Sequence, residues 1–148
     1  MNGHGGNIHP LGTLLHETAR KYDLFLAITF PTSLTREATK QILSSKDMGG
    51  FHAGEPETSM ILHLAPHLVN KQEIRKPELK KYHKDTKYIR LWDSKLLKGF
   101  SWTTQEISPT GVIGDPTGAT AKKGKILLDA ATDNLAKLIH EIYIKTID

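Results

Sequence analysis

The chain contains no cysteine. Disulfides, thiolate metal sites and a cysteine nucleophile are therefore excluded. Any metal would be held by histidine, aspartate or glutamate. No apolar run approaches the roughly 20 residues that a membrane span needs. The N-terminus is polar and glycine-rich and does not read as a signal peptide, so a cytoplasmic location is expected. Aromatic residues are scarce, at 7%. The basic excess between Lys71 and Arg90 has only Tyr82 and Tyr88 among it, and Glu73, Glu78 and Asp85 dilute it. Single-strand binding wants aromatics interleaved with charge. A solvated lysine-rich surface is expected instead, with neither nucleic acid nor membrane as partner.

What remains is the composition of a globular chain. Its 148 residues suit one domain, 1–148, with 38% hydrophobic and 24% charged residues. The spacing of Leu11, Leu14, Leu15, Thr18, Ala19 and Tyr22 predicts a helix over His9–Tyr22, with Asn7 as its cap and Pro10 in its first turn. Leu24 to Phe30 is a continuous apolar run closed by Pro31. It reads as a strand buried on both faces, as in a parallel sheet. Ser33 to Ser45 reads as a short helix or turn region. Glu55 to Val69 reads as a helix with Pro56 in its first turn and Met60, Ile61, Leu64 and Leu68 as its apolar stripe. Lys71 to Asp85 is irregular, and Lys87–Trp92 and Gly99–Thr103 read as strands. Thr120 to Ile144 is a long helix with Leu127, Ala131, Leu135, Leu138 and Ile142 on its core face.

Three blocks could carry chemistry. The first is Asn2-Gly3-His4-Gly5-Gly6-Asn7. A histidine between glycines at the start of a helix sits where open α/β sheets bind ligands, and imidazole is a common metal ligand. The same block could be an idle glycine-rich turn. The second is His52-Ala53-Gly54-Glu55-Pro56-Glu57-Thr58-Ser59. Glu57 falls on the face of Met60, Ile61 and Leu64, and a carboxylate on an apolar stripe is costly unless a cation or donors meet it. A metal or a catalytic role would resolve that conflict. Capping of the helix N-terminus would explain both Glu55 and Glu57 without chemistry. His52, just ahead, suits a proton carrier or a plain loop residue. Ser59 lies within the helix pattern, away from any nucleophile elbow. The third block, Gly111-Val112-Ile113-Gly114-Asp115-Pro116-Thr117-Gly118-Ala119-Thr120, reads as a turn in which Thr117 or Asp115 caps the last helix. His63 and His67 are four apart and could in principle share zinc, but no third ligand is near, so surface histidines are expected.

In this order the three blocks resemble the creatininase (creatinine amidohydrolase) family, from Asn2 to the final helix. The resemblance implies an α/β fold: a three-layer α/β/α sandwich with a mostly parallel sheet, here without its N-terminal strands. It implies hydrolysis of a non-peptide or cyclic amide C–N bond in a small-molecule substrate. A divalent metal centre is implied, dinuclear in the complete site, with zinc first and manganese or iron(II) as alternatives. By the same resemblance His4 would be a metal ligand, and His52 and Glu57 catalytic; Glu55 could supply a further metal-binding carboxylate from the second block. Members that cleave creatinine continue the first block with tyrosine and a metal-binding glutamate, where this chain has Gly5 and Gly6. They also carry a tryptophan just before the catalytic histidine, where this chain has Met48. Creatinine is thus disfavoured, and a formamide of riboflavin or deazaflavin synthesis is a candidate. The family's first metal ligands, a Glu-x-His pair and an aspartate, precede the first block and have no counterpart here. The expectation is a truncated or split hydrolase, working as a homo-oligomer or with a separate N-terminal half. The alternative is a non-catalytic assembly subunit.

Overall fold

The structure, a computed structural model, describes residues 1–44, 52–79 and 103–147. It forms two compact units, one of Met1–Gln41 with Ile126–Asp148 and one of Ile42–Lys125. The expected strand at Lys87–Trp92 and most of that at Gly99–Thr103 lie outside the described residues.

In the first unit, α1 spans Ile8–Tyr22. Leu11, Leu15, Thr18 and Ala19 are half-buried along one face, as their spacing predicts, while Leu14 and Tyr22 flank it and stand exposed. Arg20 and Lys21 in its last turn face the negative end of the helix dipole. Asp23 then ends the helix in the left-handed conformation, at φ 52°. Aspartate is one of the few residues besides glycine that tolerates it. Two short helices follow, α2 at Pro31–Leu34 and α3 at Arg36–Ile42.

The segment between α1 and α2 departs from expectation. Leu24 to Phe30 forms no strand, and Leu24 and Phe25 are 51% and 66% exposed. Apolar content makes a segment fit for a buried sheet, but a strand exists only through a ladder of bonds to a neighbour. Among the described residues a single backbone bond reaches this segment from a distant part of the chain, from the Asn2 N–H to the Thr29 carbonyl at 2.8 Å. Every regular element among the described residues is helical, and no strand of the expected sheet is found among them.

In the second unit, α4 spans Glu55–Leu64, and single 3-10 turns follow at Pro66–Leu68 and Lys71–Glu73. A short α5 spans Thr104–Ile107. Leu62, Ile107 and Ile113 are the buried apolar residues among those described in this unit. The stripe expected on α4 is rotated: Ile61, Leu64 and Leu68 are exposed, and the buried positions are Glu55, Ser59 and Leu62. The last helix, α6, spans Ala121–Ile147. Its residues through Lys125 belong to this unit and the rest to the first. The Thr120 hydroxyl accepts the Lys123 N–H at 3.2 Å and caps it, in place of Asp115 or Thr117. Its expected core face holds: Leu127 is fully buried, and Ala131, Leu135, Leu138 and Ile142 are half-buried. No helix of the described residues is long and apolar enough to cross a membrane.

Candidate active site

The first block lies in the first unit, and its organiser is Asn2. That side chain is buried, donates to the His4 carbonyl at 2.8 Å, and accepts from the His4 N–H at 3.3 Å and the Asn7 side chain at 3.1 Å. Asn7 therefore serves Asn2, and its side chain makes no cap bond to α1. The His4 imidazole is folded over Gly6, where a Cβ would stand 2.6 Å from Nε2. His4 itself is exposed.

The second and third blocks meet in the second unit. The His52 carbonyl accepts from the backbone N–H groups of Ile113 and Gly114, both at 2.9 Å. Ala53 follows in the left-handed conformation, at φ 54°. An alanine holds that conformation only where its surroundings fix it. Gly54 is the N-cap of α4. The Ala53 N–H donates to Glu57 Oε2, so Glu57 reaches back across the helix start in the manner of a capping box. His52 and Glu57 are both exposed.

Glu55 is the opposite case, with none of its surface exposed. Its two oxygens accept the Ser44 N–H at 3.1 and 2.9 Å, and Oε1 pairs with the Lys123 ammonium. Lys123 also donates to Ser44 Oγ at 2.8 Å and to the Gly118 carbonyl at 2.9 Å. The conflict that spacing attached to Glu57, a carboxylate on a buried face, belongs to Glu55, and a lysine 68 residues away resolves it. Sequence reasoning did not single out Lys123. Ser59, fully buried, accepts the Thr120 N–H at 3.1 Å. A Cβ on Gly124 would lie 1.9 Å from the Ser59 carbonyl oxygen, so α6 starts in direct contact with the α4 backbone.

In the third block Asp115 turns back on Thr117, accepting its hydroxyl at 2.6 Å and its N–H at 3.0 Å. The hydroxyl bond first and the backbone bond second hold the Asp115 carboxyl below its ordinary range, with a smaller contribution from the charge of Lys76. The sign follows. A carboxyl whose folded pKa is depressed contributes stability above its unfolded pKa and loses it as pH falls through the folded value. Removing the hydroxyl in Thr117→Val should raise the Asp115 titration midpoint toward the ordinary carboxylate value. A ¹³C NMR titration of the Asp115 carboxyl checks this, and an unchanged midpoint would refute the hydroxyl's role.

The second and third blocks are thus one structure, joined at the His52 carbonyl, through Lys123 between Glu55 and Gly118, and at Ser59–Thr120. The sequence model of the creatininase family, described as creatinine amidohydrolase, matches residues 1–139. The chain belongs to the creatininase family. A mycofactocin precursor peptide peptidase of Mycobacterium ulcerans (strain Agy99) is 27% identical over 139 residues, which is 94% of this chain and 46% of that protein. A crystal structure from Bacteroides fragilis NCTC 9343, provisionally named a creatinine amidohydrolase, superposes with a TM-score of 0.68 at 27% identity. The match covers 93% of this chain and 50% of that one. This creatininase-family chain spans about half the length of the relatives it matches.

The metal that the family implies can be tested against the donors. Among the described residues no three of His, Cys, Asp and Glu lie close enough to hold a metal ion. Glu55 already faces an ammonium. His63 and His67 are both exposed, and His67 lies beyond the end of α4 on a 3-10 turn, so helical spacing does not pair them. The described donors do not fit a closed metal centre.

Proposed function

We propose that this chain carries part of a creatininase-family amidohydrolase that cleaves a C–N bond other than an ordinary peptide bond. The observation that supports this reading is the family match over residues 1–139, together with the joining of the second and third blocks around His52. In the reaction, water adds to the amide carbonyl carbon, the C–N bond breaks and the amine leaves with a proton. His52, exposed at the turn before α4, would carry that proton. Glu57 fixes the turn through Ala53. In a metal-loaded family member the metal would polarise the carbonyl and acidify the water. His4 keeps the ligand role implied by resemblance as a proposal, and Glu55 that of a substitute carboxylate, with the Lys123 contact standing against Glu55. A small formamide or cyclic amide is the proposed substrate class. The name of the mycobacterial relative adds a short peptide to the panel. A cytoplasmic homo-oligomer completes the reading.

The test is an assay of the purified chain with zinc or manganese(II) against formamides, cyclic amides and a short peptide, with metal content measured in parallel. Turnover that falls about 100-fold or more in His52→Ala, the scale of a lost general acid, supports the proposal. Equal turnover in His52→Ala would overturn the role of His52. No turnover at any metal loading would assign the chain to the alternative reading, a non-catalytic assembly subunit.

A further inference from the structure

We infer that Lys123 is a positioning residue for the His52 turn, acting as the resident cation of Glu55. The inference rests on the proposed hydrolase reading for its functional part and on geometry for the rest. A fully buried carboxylate requires a cation or a full set of donors. Lys123 supplies the cation, and its three N–H bonds each find an oxygen, on Glu55, Ser44 and Gly118. The Ser44 N–H completes the carboxylate's other side. Gly118 closes over the pair, since a Cβ there would sit 2.8 Å from the Glu55 carboxylate.

The consequence lies three residues away. The strained turn at Ala53 is bracketed by two anchors. On one side the His52 carbonyl is held by Ile113 and Gly114. On the other, Glu55 is tied through Lys123 to Gly118. Residues 113–118 therefore act as a strap fastened at both ends across the turn that presents His52. Releasing Lys123 unfastens one end, and a left-handed alanine no longer over-determined by its surroundings relaxes. No metal is needed at Glu55 for this, so the mismatch between the donors and a metal centre has a physical account: in this chain the charge of Glu55 is matched by a side chain.

Amide hydrogen exchange on the full chain tests the inference. In Lys123→Met the Ile113 and Gly114 amides should exchange about 10-fold faster or more, as a local opening would give. The Leu24 amide, bonded to Ala19 at the end of α1, should keep its wild-type rate. Ser44→Ala, which removes one acceptor from an exposed position, should give a smaller rise at the same two amides and guards against misfolding of the first variant. Unchanged Ile113 and Gly114 amides in both variants would overturn the inference, as would a uniform rise that includes Leu24. If the wild-type chain hydrolyses an amide probe, Lys123→Met should lower kcat with KM nearly unchanged; a rise confined to KM would refute positioning. If the wild type shows no hydrolysis, the proposed function fails while the exchange result still decides the role of Lys123.

Discussion

Gly124→Ala is expected to destabilise the protein by about 3 kcal/mol, at the upper end of what overpacking of a close contact costs. The sign is the informative part. In an exposed helix interior, glycine to alanine stabilises by about 1 kcal/mol, because alanine loses less backbone freedom on folding. At Gly124 the added Cβ would fall 1.9 Å from the Ser59 carbonyl oxygen and 2.5 Å from its carbonyl carbon. Those atoms are helix backbone and cannot rotate away as a side chain would. The start of α6 must move off α4, and the Thr120 N–H bond to Ser59 Oγ is stretched with it. Gly12, inside α1 with nothing within 4 Å of its Cβ position, supplies the opposite case. Gly12→Ala should stabilise by about 0.5–1 kcal/mol. Urea unfolding of both variants reads the contrast as opposite shifts of the midpoint at constant slope. A Gly124→Ala midpoint equal to that of Gly12→Ala would show that the helices do not approach through this glycine.

The same contact explains what could be read in the sequence and what could not. The helices α1 and α6 were legible because their apolar residues repeat at the helical period, and apart from Leu14 and Tyr22 those expected to face inward do so. Even the core face of α6, from Leu127 to Ile142, is where its spacing puts it. The helix α4 was legible in its existence and not in its register. Its buried line runs through Glu55, Ser59 and Leu62, two of them polar. Hydropathy therefore points to Ile61 and Leu64, which are exposed. Burying a serine there requires a glycine on another helix, and burying a glutamate requires a lysine 68 residues away. Neither requirement leaves a local signature. The physical rule applied to Glu57, that a carboxylate on a buried face demands a cation, was sound and was attached two residues too late.

The blocks themselves were legible as blocks. Why the second and third occur together was not, because their bonds run largely through backbone groups. The amides of Ile113 and Gly114 on the His52 carbonyl, and the Thr120 amide on Ser59, are invisible to residue type. Asn2 escaped notice for a related reason: it looks like the polar lead of a glycine-rich turn, yet its side chain alone makes three bonds within the block. For Leu24 to Phe30, composition spoke only to fitness for a sheet, and pairing is decided by neighbours.

Lys123→Met should cost about 3–5 kcal/mol, the usual loss when one member of a buried ion pair is removed. The two partners are not equivalent. The Lys123 side chain keeps 19% of its surface exposed, whereas that of Glu55 keeps none. A Lys123 that has lost Glu55 can turn its ammonium toward water, whereas the Glu55 carboxylate, with none of its surface exposed, cannot. Glu55→Gln should therefore cost clearly less than Lys123→Met. The glutamine can still accept the Ser44 N–H and Lys123 through its amide oxygen. In the double variant Glu55→Gln/Lys123→Met the buried charge itself disappears, so its loss should fall well short of the sum of the singles, with a coupling of about 1–3 kcal/mol. A double-mutant cycle in urea measures all four corners. Additive losses would mean that the two side chains do not meet in solution as they do here. A cost for Glu55→Gln equal to that of Lys123→Met would mean that desolvation of the carboxylate is not the governing term.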